Sequence, residues 1–307
     1  MRWFDSGRGH WGFPDWGNTG GNVPTVASAP QRFDRGPAGR QTHSVARPPN
    51  IYYAAAWKNP VAQGASDTWY VELRGYAKVT SASVPYCVAN EYVCGRIGAL
   101  LGLPIPPGGV IQPQTDEQGA AWVTLNFSPK NEPLPPIDPA TVVAAVPDLS
   151  AGVIVFDLLI ANTDRHTGNL ALLPSKKRLD VFDHSHALMG ARQGRVQQRL
   201  GELRSATGLS GAAVDDIGSN RHCLIDHVTD APALLGWAEE LQSIVSDRFL
   251  NRICAEAASL GVGATPEEMM RVEEFLRERR GNAKRLLYEH RDEFTAIPAD
   301  AWGMELL

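Results

Sequence analysis

The pattern of apolar and polar positions divides the chain at the Pro-rich stretch SPKNEPLPPIDPA, residues 128–140. Upstream of it, IYYAAAW and TWYVELRGYAKV carry aromatic and β-branched residues in partial alternation. That is the period of half-buried strands, and it predicts two of them joined by the polar KNPVAQGASD. VPYCVANEYVCGRIGALLGL instead places Val88, Tyr92, Ile97, Leu100 and Leu101 at helical spacing. This helix is expected to stop at Gly102, because Pro104, Pro106 and Pro107 forbid its continuation. GAAWVTLNF returns to a strand pattern.

Downstream, DLSAGVIVFDLLIAN is apolar on all sides and predicts a buried helix. LALLP and RLDVFD flank the basic turn SKK and predict a short hairpin. Two long helices are expected to close the chain, at 231–260 and 265–294. The second opens with TPEE: Thr265 as N-cap, Pro266 as first helical residue and Glu268 completing a capping box. The order of elements predicts an α+β protein of two lobes. A small β-rich lobe with one helix takes residues 51–130, a larger mainly helical lobe takes 131–307, and a cleft lies between them. Residues 1–50, rich in Gly, Arg, Pro and Trp without a helix or strand period, read as a flexible tail.

Composition narrows the class without naming it. The 307 residues are 43% hydrophobic and 21% charged, ordinary for a soluble globular protein. A net charge of −5 and a pI near 5.9 argue against a dedicated binder of nucleic acid or anionic membrane. No run approaches the ~18 apolar residues of a membrane span, and no secretory signal is visible, so a cytoplasmic location is expected. Cys87, Cys94, Cys223 and Cys254 form no C-x-x-C pair and are expected to be buried small hydrophobes.

The candidate chemistry sits where an apolar run is broken, in LIANTDRHTGNLALL. Asp164 and Asn169 are five apart in the loop that leaves the buried helix, and Asp183 lies nineteen beyond Asp164 at the far end of the hairpin. A two-stranded hairpin brings its ends together, so Asp183 should return beside Asn169. One carboxylate and one amide oxygen suit a Mg²⁺ that also holds phosphate oxygens. Asp164 would then be free to orient or deprotonate an attacking hydroxyl, as phosphoryl transfer requires.

NTDRHTGN followed by DVFDHSHAL resembles the catalytic and metal-binding loops of the HipA-like kinases, and its D-R-H-x-x-N order is similar to that of the phosphoinositide kinases. ANEYVCGRIGALLGLPIPP resembles the HipA-like pattern of Asn-Glu opening a helix that ends in Gly-Leu-Pro-x-Pro. The resemblance covers about residues 65–190. It implies a bilobal protein-kinase-like fold with ATP between the lobes and transfer to a protein Ser/Thr or a small-molecule hydroxyl. By position it makes Asp164 the catalytic base, with Arg165 and His166 supporting the loop or transition-state charge. Asn169 and Asp183 become the Mg²⁺ ligands, and Glu91 the helix glutamate that steadies a nucleotide-binding lysine. The family's Y-V-V-K-L strand is matched to WYVELR, which puts Glu72 in the lysine's place, with Lys78, Arg74 or Lys58 as substitutes. No Gly-rich loop is recognisable, AQGAS carrying a single Gly, and no Ala-Pro-Glu marker is present.

Two other readings follow from the same residues. Glu72 favours a catalytically impaired pseudokinase serving as a nucleotide-binding or interaction module. Asp164, His166, Asp183, His184 and His186 could instead form a transition-metal site for phosphoester hydrolysis. Plainer expectations are that His166 hydrogen-bonds the loop backbone, that His184 and His186 face solvent, and that Arg192, Arg195, Arg199 and Arg204 are solvated.

Overall fold

The computed structural model describes residues 54–60, 69–111, 119–125, 136–173, 178–210 and 220–303. The expected tail, the AQGAS segment, most of the Pro-rich connector and the SKK turn lie outside the described residues.

Strand β1 (Ala54–Pro60) pairs antiparallel with β2 (Trp69–Leu73). Strands β3 (Gly75–Val79), β4 (Gly108–Ile111) and β5 (Ala121–Leu125) form a separate antiparallel sheet in the order β3-β5-β4. TWYVELRGYAKV was expected to form one strand; it forms two, in different sheets, divided at Arg74. Gly75, which opens β3, explains where the division falls. A Cβ there would lie 2.7 Å from the Thr124 carbonyl oxygen, so the close approach of β3 to β5 needs a glycine. β4 was not expected, because GGVI is too short and too Gly-rich to show a period. The Trp122 ring occupies the space above Gly108, where a Cβ would stand 2.5 Å from it.

Helix α1 (Cys87–Leu101) ends as its sequence predicts. Gly102 adopts φ +79°, and the Leu103 N–H closes on Gly98 O at 2.9 Å, ahead of the prolines. The helix is buried on most of its surface, against the three-stranded sheet on one side and helix α6 (Asp247–Ser259) on the other. Two tyrosines fix it to the C-terminal helices. Tyr86 Oη donates to Glu268 at 2.5 Å and Tyr92 Oη to Glu256 at 2.6 Å.

Two short helices escaped the sequence pattern, α2 (Pro139–Ala145) and α4 (Val196–Glu202). Helix α3 (Pro147–Leu159) is the buried helix foreseen, packed against α5 (Ala231–Ile244) and α7 (Pro266–Glu289). The hairpin consists of β6 (Leu170–Leu173) and β7 (Arg178–Val181), with Leu170 opposite Val181. The helix expected over 231–260 is broken into α5 and α6. Ser246 caps α6 by accepting the Phe249 N–H at 3.2 Å, a local signal strong enough to start a new helix. The capping box of α7 forms as expected, Thr265 with Glu268 in both directions. All four cysteines are free, and Cys87, Cys94 and Cys254 are buried. Among the described residues no single helix is long and apolar enough to cross a membrane.

Candidate functional site

Beyond its first turn, from Ala151 on, α3 is apolar except for Asp157, and that carboxylate organises the loop that follows. Its oxygens take both Nε and Nη2 of Arg165, at 2.7 and 3.0 Å, and the Asn162 amide at 3.1 Å. His222 Nε2 lies 3.0 Å from the same group. Both Asp157 and Arg165 are fully buried. Burial alone would push the Asp157 carboxyl up; Arg165 and His222 outweigh it and hold it below the usual carboxylate range. Arg165 Nη1 then donates to Asn169 O at 3.1 Å and to Phe182 O at 2.6 Å, so one guanidinium joins α3, the loop and the hairpin's far end. Arg165 therefore supports the loop and presents no charge to solvent.

His166 Nδ1 accepts the Gly168 N–H at 3.0 Å, the backbone role expected of it. Asn169 donates its amide hydrogen to Asp164 O at 2.9 Å, which leaves Oδ1 as its acceptor end. Phe182 N–H donates to Asn169 O at 3.2 Å, so the hairpin does return Asp183 next to Asn169. Asp183 has φ +62°, a left-handed conformation that Asp tolerates better than bulkier residues.

Asp183 meets the other half of the site through Lys78 on β3. Lys78 Nζ lies 2.8 Å from Asp183 Oδ1 and 2.5 Å from Glu91 Oε1 on α1. Glu91 also accepts the His184 backbone N–H at 3.0 Å, with the His184 ring 3.2 Å from its second oxygen. Burial opposes the charged form of Lys78, yet Glu91 and Asp183 raise its pKa well above the ordinary lysine value. Burial likewise works against the Glu91 anion, but Lys78 and the His184 hydrogen bond hold its carboxyl down at about 2. The folded state therefore binds fewer protons than the unfolded chain between about pH 4.5 and about 2. Stability from Glu91 is complete above that window and lost as pH falls through it. Urea unfolding across pH 5 to 2 is expected to show a shallower acid loss for Glu91→Gln than for wild type.

The lysine facing Glu91 is thus on β3, one strand later than WYVELR, in GYAKV. Glu72 does not stand near Glu91: it is exposed on β2 and pairs with Lys58 at 2.9 Å. Only Arg74 separates β2 from β3, so one continuous apolar pattern covers both and hides which of them reaches α1.

Three further expectations are corrected. His184 and His186 do not face solvent; they are 1% and 8% exposed. The segment after Asp183 folds beneath α1, where Asn90 donates to Ser185 O at 2.9 Å and the His184 ring sits edge-on to Phe156. Arg199 is not solvated but buried, donating to Leu188 O at 2.8 Å and His186 O at 3.0 Å. Among the described residues no three His, Cys, Asp or Glu side chains converge as a transition-metal site requires. The oxygens of Asn169 and Asp183 are a hard donor pair of the kind Mg²⁺ accepts.

Asn220 was not foreseen. Its Nδ2 donates to Asp164 Oδ1 at 2.6 Å, from a position 56 residues downstream. No spacing motif in the sequence signals that contact.

Residues 64–199 match the family model described as HipA-like kinase, and that stretch contains Lys78, Glu91, Asp164, Asn169 and Asp183. Among solved structures, the chain is similar to the Helicobacter pylori proinflammatory kinase CtkA, at 15% identity over 79% of this chain and 95% of that one, with a TM-score of 0.48. It is also similar to a chain of the Shewanella oneidensis MR-1 toxin–antitoxin complex of HipA, HipB and operator DNA. There the identity is 12% over 86% of this chain and 70% of that one, with a TM-score of 0.36. No curated protein matches the chain.

Proposed function

We propose that this chain, whose residues 64–199 match the HipA-like kinase model, is a member of that family and an ATP- and Mg²⁺-dependent phosphotransferase acting on a hydroxyl acceptor. The acceptor is a protein Ser/Thr or a small-molecule alcohol. The β-rich residues 51–130 and the helical residues 131–307 form two lobes of a protein-kinase-like fold, with the nucleotide between them. The observation that carries this reading is the charge cluster of Lys78, Glu91 and Asp183, which joins β3, α1 and the end of the hairpin within 2.8 Å.

Each residue's role follows from its surroundings. Lys78, held by Glu91, presents a cation to phosphate oxygens. Asn169 Oδ1 and the Asp183 carboxylate hold Mg²⁺, which supplies charge neutralisation at the phosphates. Asp164, at the surface of the loop, takes the proton from the acceptor hydroxyl. Arg165 and His166 keep the loop in shape. The case for an impaired enzyme rested on Glu72 in the lysine's place; with Lys78 opposite Glu91, that case loses its residue.

The test compares Lys78→Met with Glu72→Ala in a Mg²⁺-ATP turnover assay read as ADP release. Loss of one preorganised charge donor lowers kcat by about 10²–10³-fold, and that is expected for Lys78→Met. Glu72→Ala is expected to stay within about twofold of wild type, because its exposed ion pair with Lys58 is of the kind that contributes little. Equal activity in the Lys78→Met variant would refute the assignment.

A further inference from the structure

Residues 220–223 lie beyond the span of the family match and run as a strap beside the catalytic loop. Asn220 N–H donates to Thr163 O at 2.8 Å and Cys223 N–H to Arg165 O at 2.9 Å. Between them, the buried His222 ring reaches Asp157, the carboxylate that also anchors Arg165. The strap and the loop are therefore fastened to one interior point. At the outer end of the strap, Asn220 Nδ2 donates to Asp164 Oδ1 at 2.6 Å.

A carboxylate that accepts a proton from a hydroxyl works best with one oxygen held and the other aimed at the substrate. A primary amide suits the first task. It donates a hydrogen bond, carries no charge and does not titrate, so it fixes the plane of the carboxylate without competing for the proton. We propose that Asn220 is a positioning residue for Asp164, holding Oδ1 so that Oδ2 faces the acceptor. The inference rests on the phosphotransferase reading above. In the step itself the acceptor oxygen bonds to the γ-phosphorus. The bond from that phosphorus to the β,γ-bridging oxygen breaks, with its electron pair left on ADP, and the hydroxyl proton passes to Asp164 Oδ2. Asn220 touches none of these atoms and acts through Asp164.

The experiment measures Mg²⁺-ATP hydrolysis by the full chain, with water as acceptor, for wild type, Asn220→Ala, Asn220→Asp and Asp164→Ala, and for Asp164→Ala with Asn220→Ala. A misplaced reacting group costs about 10- to 100-fold, so Asn220→Ala is expected to lower kcat by that factor and leave KM for ATP within about twofold. Asn220→Asp, close to isosteric, keeps the strap's backbone bond to Thr163 but sets one carboxylate against another, and is expected to fall further. In the Asp164→Ala background the Asn220→Ala change is expected to have no added effect, since its target is gone. A merely structural strap would give additive losses, with kcat falling in step with unfolding temperature; that result overturns the proposal. Full kcat in Asn220→Ala with an active wild type overturns it alone. A wild type that releases no ADP overturns the phosphotransferase reading, and the positioning role with it.

Discussion

Mg²⁺-ATP is expected to stabilise the wild-type chain against unfolding, and Asp183→Asn is expected to abolish that stabilisation. A ligand that binds only the folded state, at ~100 times its dissociation constant, stabilises it by about 2.7 kcal/mol. For a chain of this size that is a shift in Tm of roughly 4–5 °C. Asn is the replacement of choice because Asp183 stands at φ +62°, and Asn is the side chain that, with Asp, best tolerates that backbone. The substitution removes the charge while keeping the shape. It also removes the ion pair to Lys78, so the unliganded Tm moves as well; the informative quantity is the difference with and without Mg²⁺-ATP for each protein. Wild type should shift in Mg²⁺-ATP and not in ATP with chelator, and the variant in neither. A variant shift equal to that of wild type would remove Asp183 from the metal site.

Arg165→Met is expected to destabilise the fold by about 3–5 kcal/mol, the cost of breaking a buried ion pair from one side. The guanidinium is fully buried and holds four bonds: two to Asp157 and one each to the carbonyls of Asn169 and Phe182. Removing it leaves the Asp157 charge short of its main partner and two carbonyls short of a donor, in a region water does not reach. Urea unfolding of the variant measures the cost. Asp157→Asn combined with Arg165→Met should lose less than the sum of the two single changes, because each alone strands the other's partner. A well-folded Arg165→Met with low kcat would instead give Arg165 a direct part in charge stabilisation. The same construction ties three consecutive elements together: the end of α3, the loop that follows it and the far end of the hairpin all close on a single side chain.

Much of this arrangement could be read along the chain, because its causes are local. The stop of α1 at Gly102 is set by a glycine and three prolines, and the start of α7 by Thr265 and Glu268 answering each other within four residues. The hairpin is a short-range pairing, so the return of Asp183 to Asn169 follows from the distance between two strands and a turn. The break between α5 and α6 is equally local, at Ser246, but the apolar pattern runs on across it and masks it.

What escaped the linear reading depends on which side chains meet across the fold. GYAKV carries its lysine in plain view, but only the pairing of β3 with β5, beside α1, selects Lys78 over Lys58, and exposure on β2 sets Glu72 aside. Burial of Arg199 and His184 follows from the path of the chain beneath α1, where carbonyls and Glu91 supply partners that charged or polar groups need away from water. The His186 ring is buried on the same path with no hydrogen-bond partner at Nδ1 among the described residues. Asn220 reaches Asp164 because a strap is fastened at His222 to Asp157. By itself, then, the sequence determined the elements whose causes are local, together with a loop-and-hairpin motif and the family it resembles. The tertiary structure decided which lysine, which histidines and which amide stand beside that motif, since a hydrogen bond or ion pair between distant residues exists only once the core has placed both partners.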